Sequence, residues 1–89
     1  MKLTQTGAGS AASPRRLYPG PSAKVFLQVD GDAVTTWKLE ARATPDAPWV
    51  EVIAPGTADY GALIDWRPEV RLTVTAGAGT VVAYIGEAV

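Results

Sequence analysis

Short stretches of alternating apolar and polar residues, separated by turns rich in Gly and Pro, run along the chain from residue 24 to residue 85. Successive side chains of a β-strand point to opposite faces of a sheet, so an alternation with a period of two indicates half-buried strands. The clearest example covers residues 37–44, which read WKLEARAT. No stretch repeats apolar residues at the i, i+3, i+4 and i+7 spacing of an amphipathic helix. The chain is therefore predicted to be all β.

Six strands are predicted in this part of the chain, at residues 24–30, 37–44, 49–54, 63–66, 69–76 and 80–85. The phase of the alternation turns the apolar residues of each strand inward, with Phe26 as an apolar exception on the outer face. The last two strands are predicted to form a hairpin around residues 76–79, which read AGAG. With one further short strand at residues 3–6, the pattern predicts a single small antiparallel β-sandwich of six to seven strands, Ig-like or jelly-roll-like.

The first 23 residues differ from the rest, because they lack the apolar residues to build a core. Residues 7–13 are small and flexible, whereas residues 14–21 are rich in Pro and partly basic. We therefore predict an extended N-terminal arm at residues 1–23 and a β-sandwich domain at residues 24–89. A partner subunit is expected to hold this arm, with docking on its own domain as the alternative.

Five residues of the arm are candidates for partner binding, because Arg and Tyr are enriched where interfaces concentrate their binding energy. They are Leu3, Arg15, Arg16, Leu17 and Tyr18. The alternative for the basic stretch is a solvated link that leads into the first core strand.

The inventory of residue types excludes several classes of function. The chain contains no Cys and no His, which excludes disulfides, thiolate or imidazole metal sites and His-based catalysis. Eight basic and nine acidic residues give a net charge of −1, which argues against binding to nucleic acid. The N-terminal residues lack the apolar core of a signal peptide, and no segment is long enough to span a membrane. We therefore expect a soluble, cofactor-free protein that is made in the cytoplasm and is not an enzyme.

Carboxylates are the one remaining group that could bind a metal ion. The five aspartates are Asp30, Asp32, Asp46, Asp59 and Asp65. A Ca²⁺ site needs six to eight oxygen ligands, and an Asp-x-Asp pair supplies two carboxylates. We interpret the aspartates as residues of solvated turns and predict neither a metal site nor catalytic residues.

The predicted last hairpin carries Val82 and Tyr84 on its outer face, beside Thr73 and Thr75. An exposed Val and Tyr on so small a sandwich predict a self-association face around a symmetry axis. Packing of the arm strand on the same face is the alternative.

Three aromatic residues allow a carbohydrate-binding interpretation. Trp37 belongs to the buried phase, whereas Trp49 and Trp66 lie at strand ends and could stack on a sugar ring together with Tyr60. Alternatively, they close one end of the sandwich.

The order of these segments resembles small virion proteins of tailed bacteriophages, of the head-decoration or head-fibre type. The resemblance covers about residues 24–86 and depends on the runs VFLQVDG, WKLEARAT, WVEV, WRPEVRLTVTAG and TVVAYIG. In those proteins, a strand that ends in a Gly turn precedes an E-A-S-x-D-x-x-x-W segment, and a late Val-Arg-Val-Thr strand precedes an Ala-Tyr-Ile/Leu strand. This chain departs from the pattern at residues 42–49, where a Pro-rich stretch replaces the usual Asp-Gly turn.

The resemblance implies a structural protein of the virion. Its partner would be the major capsid protein or another virion protein, and it would most simply decorate the outer capsid surface as a trimer. The alternative is a carbohydrate- or receptor-binding module of a phage fibre, tail or neck.

Overall fold

The computed structural model describes residues 1–13 and 23–86, and the regular elements of these two segments are all β-strands. The strands are β1 (Lys2–Thr6), β2 (Gly9–Ala12), β3 (Lys24–Asp30), β4 (Thr36–Arg42), β5 (Val50–Gly56), β6 (Tyr60–Asp65), β7 (Glu69–Ala76) and β8 (Thr80–Ile85). They form two antiparallel sheets of four strands each. Sheet A has the order β1-β8-β3-β6, and sheet B has the order β2-β7-β4-β5. The predicted all-β class is confirmed, with eight strands in the described segments rather than six or seven.

Most connections carry the chain from one sheet to the other. The pairs β1–β2, β3–β4, β5–β6 and β7–β8 each have one strand in sheet A and one in sheet B, and of the described strands only β4 and β5 are both consecutive and paired. This wrapping of an antiparallel chain around two four-stranded sheets is the strand order of a jelly roll.

The hydrophobic core lies between the two sheets and is formed mainly by the four central strands. Its buried apolar residues are Leu3, Val25, Leu27, Val29, Trp37, Leu39, Ala41, Val70, Leu72, Val74, Val81, Ala83 and Ile85. Twelve of them belong to β3, β8, β4 and β7 and lie in the phase that the alternation predicts to be buried. The edge strands β5 and β6 add only partly buried residues, Val52, Ile53 and Ile64.

The N-terminal segment belongs to the sandwich: the predicted short strand at residues 3–6 is confirmed as β1, and docking on its own domain, the alternative to a partner subunit, is what residues 2–12 show. Strand β1 pairs with β8, and strand β2 pairs with β7, so that the segment adds one strand to each sheet. Gly7 has a φ of 69°, which favours glycine, and its N–H donates to Gly79 O at 3.0 Å where the chain crosses between the sheets. Most side chains of this segment are too small to form a core of their own, but the segment can form edge strands that pair with existing sheets.

The predicted hairpin of the last two strands is wrong, because β7 lies in sheet B and β8 in sheet A. The connection between them crosses the sandwich, and Gly77 adopts a φ of 100° there. Gly79 lies so close to the neighbouring loop that an added Cβ would be 1.9 Å from Asp32 Oδ2. The Gly-rich sequence at residues 76–79 is therefore compatible with a crossing between sheets as well as with a tight turn.

The loop between β3 and β4 is held by Asp32 and the fully buried Thr35. Asp32 Oδ2 accepts a hydrogen bond from Thr35 Oγ1 at 2.6 Å, and Oδ1 accepts from the backbone N–H groups of Val34 and Thr35. Thr35 Oγ1 in turn accepts from Gly79 N at 3.2 Å, which ties this loop to the β7–β8 crossing. The hydrogen bonds from Thr35, and then that from Val34, lower the pKa of Asp32.

Strand β6 begins at Tyr60, three residues before the predicted strand, and Trp66 lies outside it. Gly61 and Ala62, which are typical of a loop in sequence, pair with Gln28 and Leu27 of β3. Pairing with a neighbouring strand therefore overrides the local preference of these small residues.

Leu3 provides a test of whether β1 is integral to the domain. Its side chain is 6% exposed and packs in the core, whereas Thr4 is exposed on the outer face. We expect Leu3→Ala to lower the free energy of unfolding by about 2–3 kcal/mol, because it leaves a cavity between the sheets. Thr4→Ala should change it by less than about 0.5 kcal/mol. Urea denaturation measures both, and equal effects would contradict the integration of β1.

Candidate functional site

The outer face of sheet A carries exposed apolar side chains. Strand β3 turns Lys24, Phe26, Gln28 and Asp30 outward, because Val25, Leu27 and Val29 occupy its buried phase. Phe26 is therefore presented to solvent, where half of it is exposed. The outer position of Phe26 was predicted from the sequence, and the structure confirms it.

Two neighbouring strands extend this surface on either side of Phe26. Leu63 of β6 lies directly opposite Phe26 and is 70% exposed, and Tyr84 of β8 lies opposite Gln28 and is 42% exposed. Val82, two residues before Tyr84, is partly exposed. We call Phe26, Leu63, Val82 and Tyr84 the apolar face. Exposed apolar residues that cluster on one surface of a soluble domain mark interaction sites.

A depression with a volume of about 790 Å³ lies beside the apolar face. Its lining combines aromatic rings, one amide and two carboxylates: Phe26, Gln28, Val29, Asp30, Asp59, Tyr60, Gly61 and Tyr84. The Tyr60 ring is fixed by an edge contact with Trp37, whose centroid lies 6.0 Å away. The Trp37 indole donates to Ala58 O at 3.1 Å, so a buried residue fixes the start of β6 at the border of the depression.

Cations lie at two borders of this surface. The Nζ of Lys2 lies 5.9 Å from the centroid of the Tyr84 ring, on the β1 side. Lys24 forms an ion pair with Asp65 across β3 and β6. The hydrogen bond from Lys24, followed by its charge, lowers the pKa of the exposed Asp65.

The outer face of sheet B is different, because its charged groups pair with one another. Glu40 Oε1 accepts hydrogen bonds from Arg71 Nε at 2.8 Å and from Thr73 Oγ1 at 2.6 Å. The Trp49 ring lies between two guanidinium groups, with Arg42 at 4.3 Å and Arg71 at 4.7 Å from its centroid. Arg42 also donates to the buried Glu69 at 3.1 Å. The charged groups on this face form hydrogen bonds with one another. The apolar face of sheet A is therefore the stronger candidate for a binding surface.

The predicted sugar-stacking residues do not form one site. Trp49 lies on the outer face of sheet B, and Trp66 packs partly buried against the core after the end of β6. Tyr60 begins β6, opposite Val29, whereas Asp65 at the other end pairs with Lys24. Six strand steps of about 3.3 Å separate Tyr60 from Trp66 by about 20 Å. The stacking hypothesis for this set of three residues is therefore wrong.

The predicted self-association face is also divided. Val82 and Tyr84 lie on the outer face of sheet A, whereas Thr73, hydrogen-bonded to Ser10 and Glu40, and Thr75 lie on β7 in sheet B. The outer faces of a sandwich point in opposite directions, so these four residues cannot contact one flat partner. Sequence reasoning joined them through the hairpin that the structure replaces with a crossing.

The candidate partner-binding residues of the arm have two outcomes. Leu3 is buried within its own domain, so the prediction that it contacts a partner is wrong. Arg15, Arg16, Leu17 and Tyr18 lie outside the described residues.

The aspartates are dispersed. Asp32 caps its loop, Asp59 accepts from Gly31 N at 2.8 Å, Asp65 pairs with Lys24, and Asp46 lies in the exposed β4–β5 turn. Within residues 1–13 and 23–86, no group of three or more Asp or Glu side chains is arranged to hold a metal ion. The same segments contain no helix with the length and apolar character that crossing a membrane requires.

Sequence reasoning missed Leu63 and the two carboxylates of the depression as parts of one surface. The sequence signals were Phe26, an apolar residue in the polar phase of its strand, and the outward Val82 and Tyr84 of the last strand. Its neighbours could not be identified, because the order of strands in sheet A was not predicted.

Comparisons with protein-family models, with curated protein sequences and with solved structures gave no significant match to this chain.

Glu40 makes the stability of the sandwich depend on pH. Burial alone would raise the pKa of Glu40, but hydrogen bonds from Arg71 and Thr73 and the charges of Arg71 and Lys38 outweigh it, so the pKa lies below its ordinary value of 4.5. A carboxylate with a lowered pKa in the folded state contributes stability above its unfolded pKa and loses it as the pH falls.

We therefore expect Glu40→Gln to destabilise the protein at pH 7 and to reduce the loss of stability between about pH 5 and pH 3. The control is Glu51→Gln, an exposed carboxylate directly opposite Glu40 on β5. Unfolding free energies at several pH values test this. Identical pH profiles for Glu40→Gln and the unmodified protein would contradict the role of the network.

Proposed function

We propose that this chain is a structural protein of a bacteriophage virion, a capsid decoration protein that binds the major capsid protein on the outer surface of the head and stabilises the shell. The observation that carries the proposal is the apolar face. A sandwich whose other face is covered by paired charges, but which exposes Phe26, Leu63 and Tyr84 together, has one surface suited to binding protein. The role would be mechanical, without a catalytic step, a cofactor, nucleic acid or a membrane.

The shape of this surface fits a protein partner. The outer residues of β3, β6 and β8 lie on one sheet, so they form one continuous surface with the depression beside it. Small-molecule sites are usually enclosed clefts, whereas flat surfaces with aromatic anchors are typical of protein interfaces.

The fold and the sequence pattern add support of a weaker kind. Jelly rolls occur in viral capsid proteins and in lectins, which makes both proposed roles familiar for this architecture, although a fold alone does not determine function. The resemblance of residues 24–86 to phage head-decoration and head-fibre proteins favours the virion over other settings.

The alternative is a carbohydrate- or receptor-binding module of a phage fibre, tail or neck. It has less support, because Trp49, Trp66 and Tyr60 lie apart. The observation in its favour is the depression lined by Phe26, Tyr60 and Tyr84, since aromatic rings can stack on a sugar.

The apolar face can be tested by co-sedimentation with cognate capsid shells. The double variant Phe26→Thr/Leu63→Thr places Thr, a residue that favours strands, at both positions and removes the apolar anchors. We expect it to reduce affinity for the shells at least tenfold, because each side chain would bury apolar area worth about 1 kcal/mol or more.

The matched control is Val50→Thr, which removes an exposed apolar residue from sheet B. It should bind as the unmodified protein does. Urea denaturation of both variants separates lost binding from lost folding. If the unmodified protein does not bind the shells at all, the proposed function is wrong.

We also propose that the protein acts as a trimer, since copies placed around a three-fold axis would bridge neighbouring capsid subunits and add their weak contacts. The native mass at micromolar concentration should then be about 28 kDa, three times the 9.3 kDa of one chain. A monomer in solution that also fails to trimerise on shells would contradict this part of the proposal.

A further inference from the structure

The depression beside the apolar face carries negative charge without a cation among its lining residues. Asp30 and Asp59 both line it, together with Gln28 and the aromatic residues Phe26, Tyr60 and Tyr84. Within the described segments, neither carboxylate forms an ion pair with a basic residue. Asp59 Oδ1 accepts a hydrogen bond from Gly31 N at 2.8 Å, which fixes its side chain without neutralising it.

The floor of the depression is open at Gly61 of β6, because glycine has no side chain. Gln28 lies between Gly61 of β6 and Tyr84 of β8 in the register of sheet A. A Cβ added at Gly61 would lie 3.4 Å from Phe26 Cζ, so any larger residue here would begin to fill the space beside the Phe26 ring. Asp30 is two residues along the same face of β3. Aromatic rings and carboxylates therefore surround one accessible space.

Among the described residues, the nearest cations leave this charge uncompensated. Lys2 lies on the β1 side of Tyr84, and Tyr84 separates it from Gln28 in the register of the sheet. Lys24 is held by Asp65 at the far end of β3. The carboxylates and the electron-rich faces of the rings both attract a cation with a partly apolar body.

We propose that this depression receives a basic side chain of the protein that the apolar face binds, and that this side chain is an arginine. The inference rests on the proposed function, because it names the chemistry that the partner surface offers at the same site. Arginine fits better than lysine: its planar guanidinium can stack on an aromatic ring while its N–H groups donate to carboxylates and to the Gln28 amide oxygen. A neutral sugar could stack on the rings but would leave both carboxylate charges unpaired.

The test is an NMR titration of the full chain with N-acetyl-arginine amide, with N-acetyl-citrulline amide as an uncharged probe of nearly the same shape. We expect saturable shifts at the backbone amides of residues 26–30, 59–61 and 84 with the arginine probe, at millimolar concentrations. The citrulline probe should bind at least about threefold more weakly. High salt should weaken only the arginine response, because exposed charges are screened.

Three variants assign the effect to particular charges. Asp30→Asn should weaken binding of the arginine probe about three- to tenfold, whereas Asp46→Asn, which removes the same charge from the β4–β5 turn, should leave it within about twofold. Lys2→Gln removes the cation beside Tyr84 and should strengthen binding. Equal binding of both probes, or equal effects of Asp30→Asn and Asp46→Asn, would overturn the inference. Saturable binding of methyl glucoside without a response to arginine would also overturn it and assign the depression to sugars.

Co-sedimentation separates this inference from the proposed function. If the shells bind the unmodified protein and Asp30→Asn equally and the arginine probe has no effect, the proposed function stands and the arginine site is wrong. If the probe binds as expected but the unmodified protein does not bind shells, the site stands and capsid decoration is wrong.

Discussion

The fold depends on the burial of apolar side chains between the four central strands. Leu27 on β3, Leu39 on β4 and Leu72 on β7 are all fully buried in this layer. Because each sheet buries its inner face against the other, neither sheet has a core of its own, and the apolar residues of each strand contribute to stability through the layer that the two sheets share. The outer faces lie outside this layer.

The outer faces of the two sheets carry different kinds of side chain. On sheet B, Glu40, Arg71 and Trp49 satisfy one another and cover the surface with a closed network. On sheet A, Phe26 and Leu63 lie opposite each other on neighbouring strands and are both exposed. A surface that already satisfies its own charges gains little from a partner, whereas an exposed apolar surface gains free energy when water is excluded from it. The two outer faces therefore differ, and the outer face of sheet A is the one suited to binding a partner.

The sequence was sufficient to predict the strands with strong alternation, and with them the buried side chains of β3, β4, β7 and β8. It was insufficient where pairing partners decide the structure. Gly9 to Ala12 and Gly61 have no strand preference of their own and become β only because β7 and β3 offer free edges. The candidate site depends on the strand order of sheet A, since Phe26 and Tyr84 are 58 positions apart in the chain, and local patterns carry no information on such a pairing.

The pairing of β1 with β8 and of β2 with β7 has a consequence for how the protein is made. The first two strands have no partners until the last two have been synthesised, and chains add about 5–20 residues per second. Neither sheet can be completed before β7 and β8 have been synthesised, and contacts between distant segments make folding slow. Sheet A is therefore complete only after β8 has been made, so a nascent chain that lacks β8 cannot present the complete apolar face to a partner.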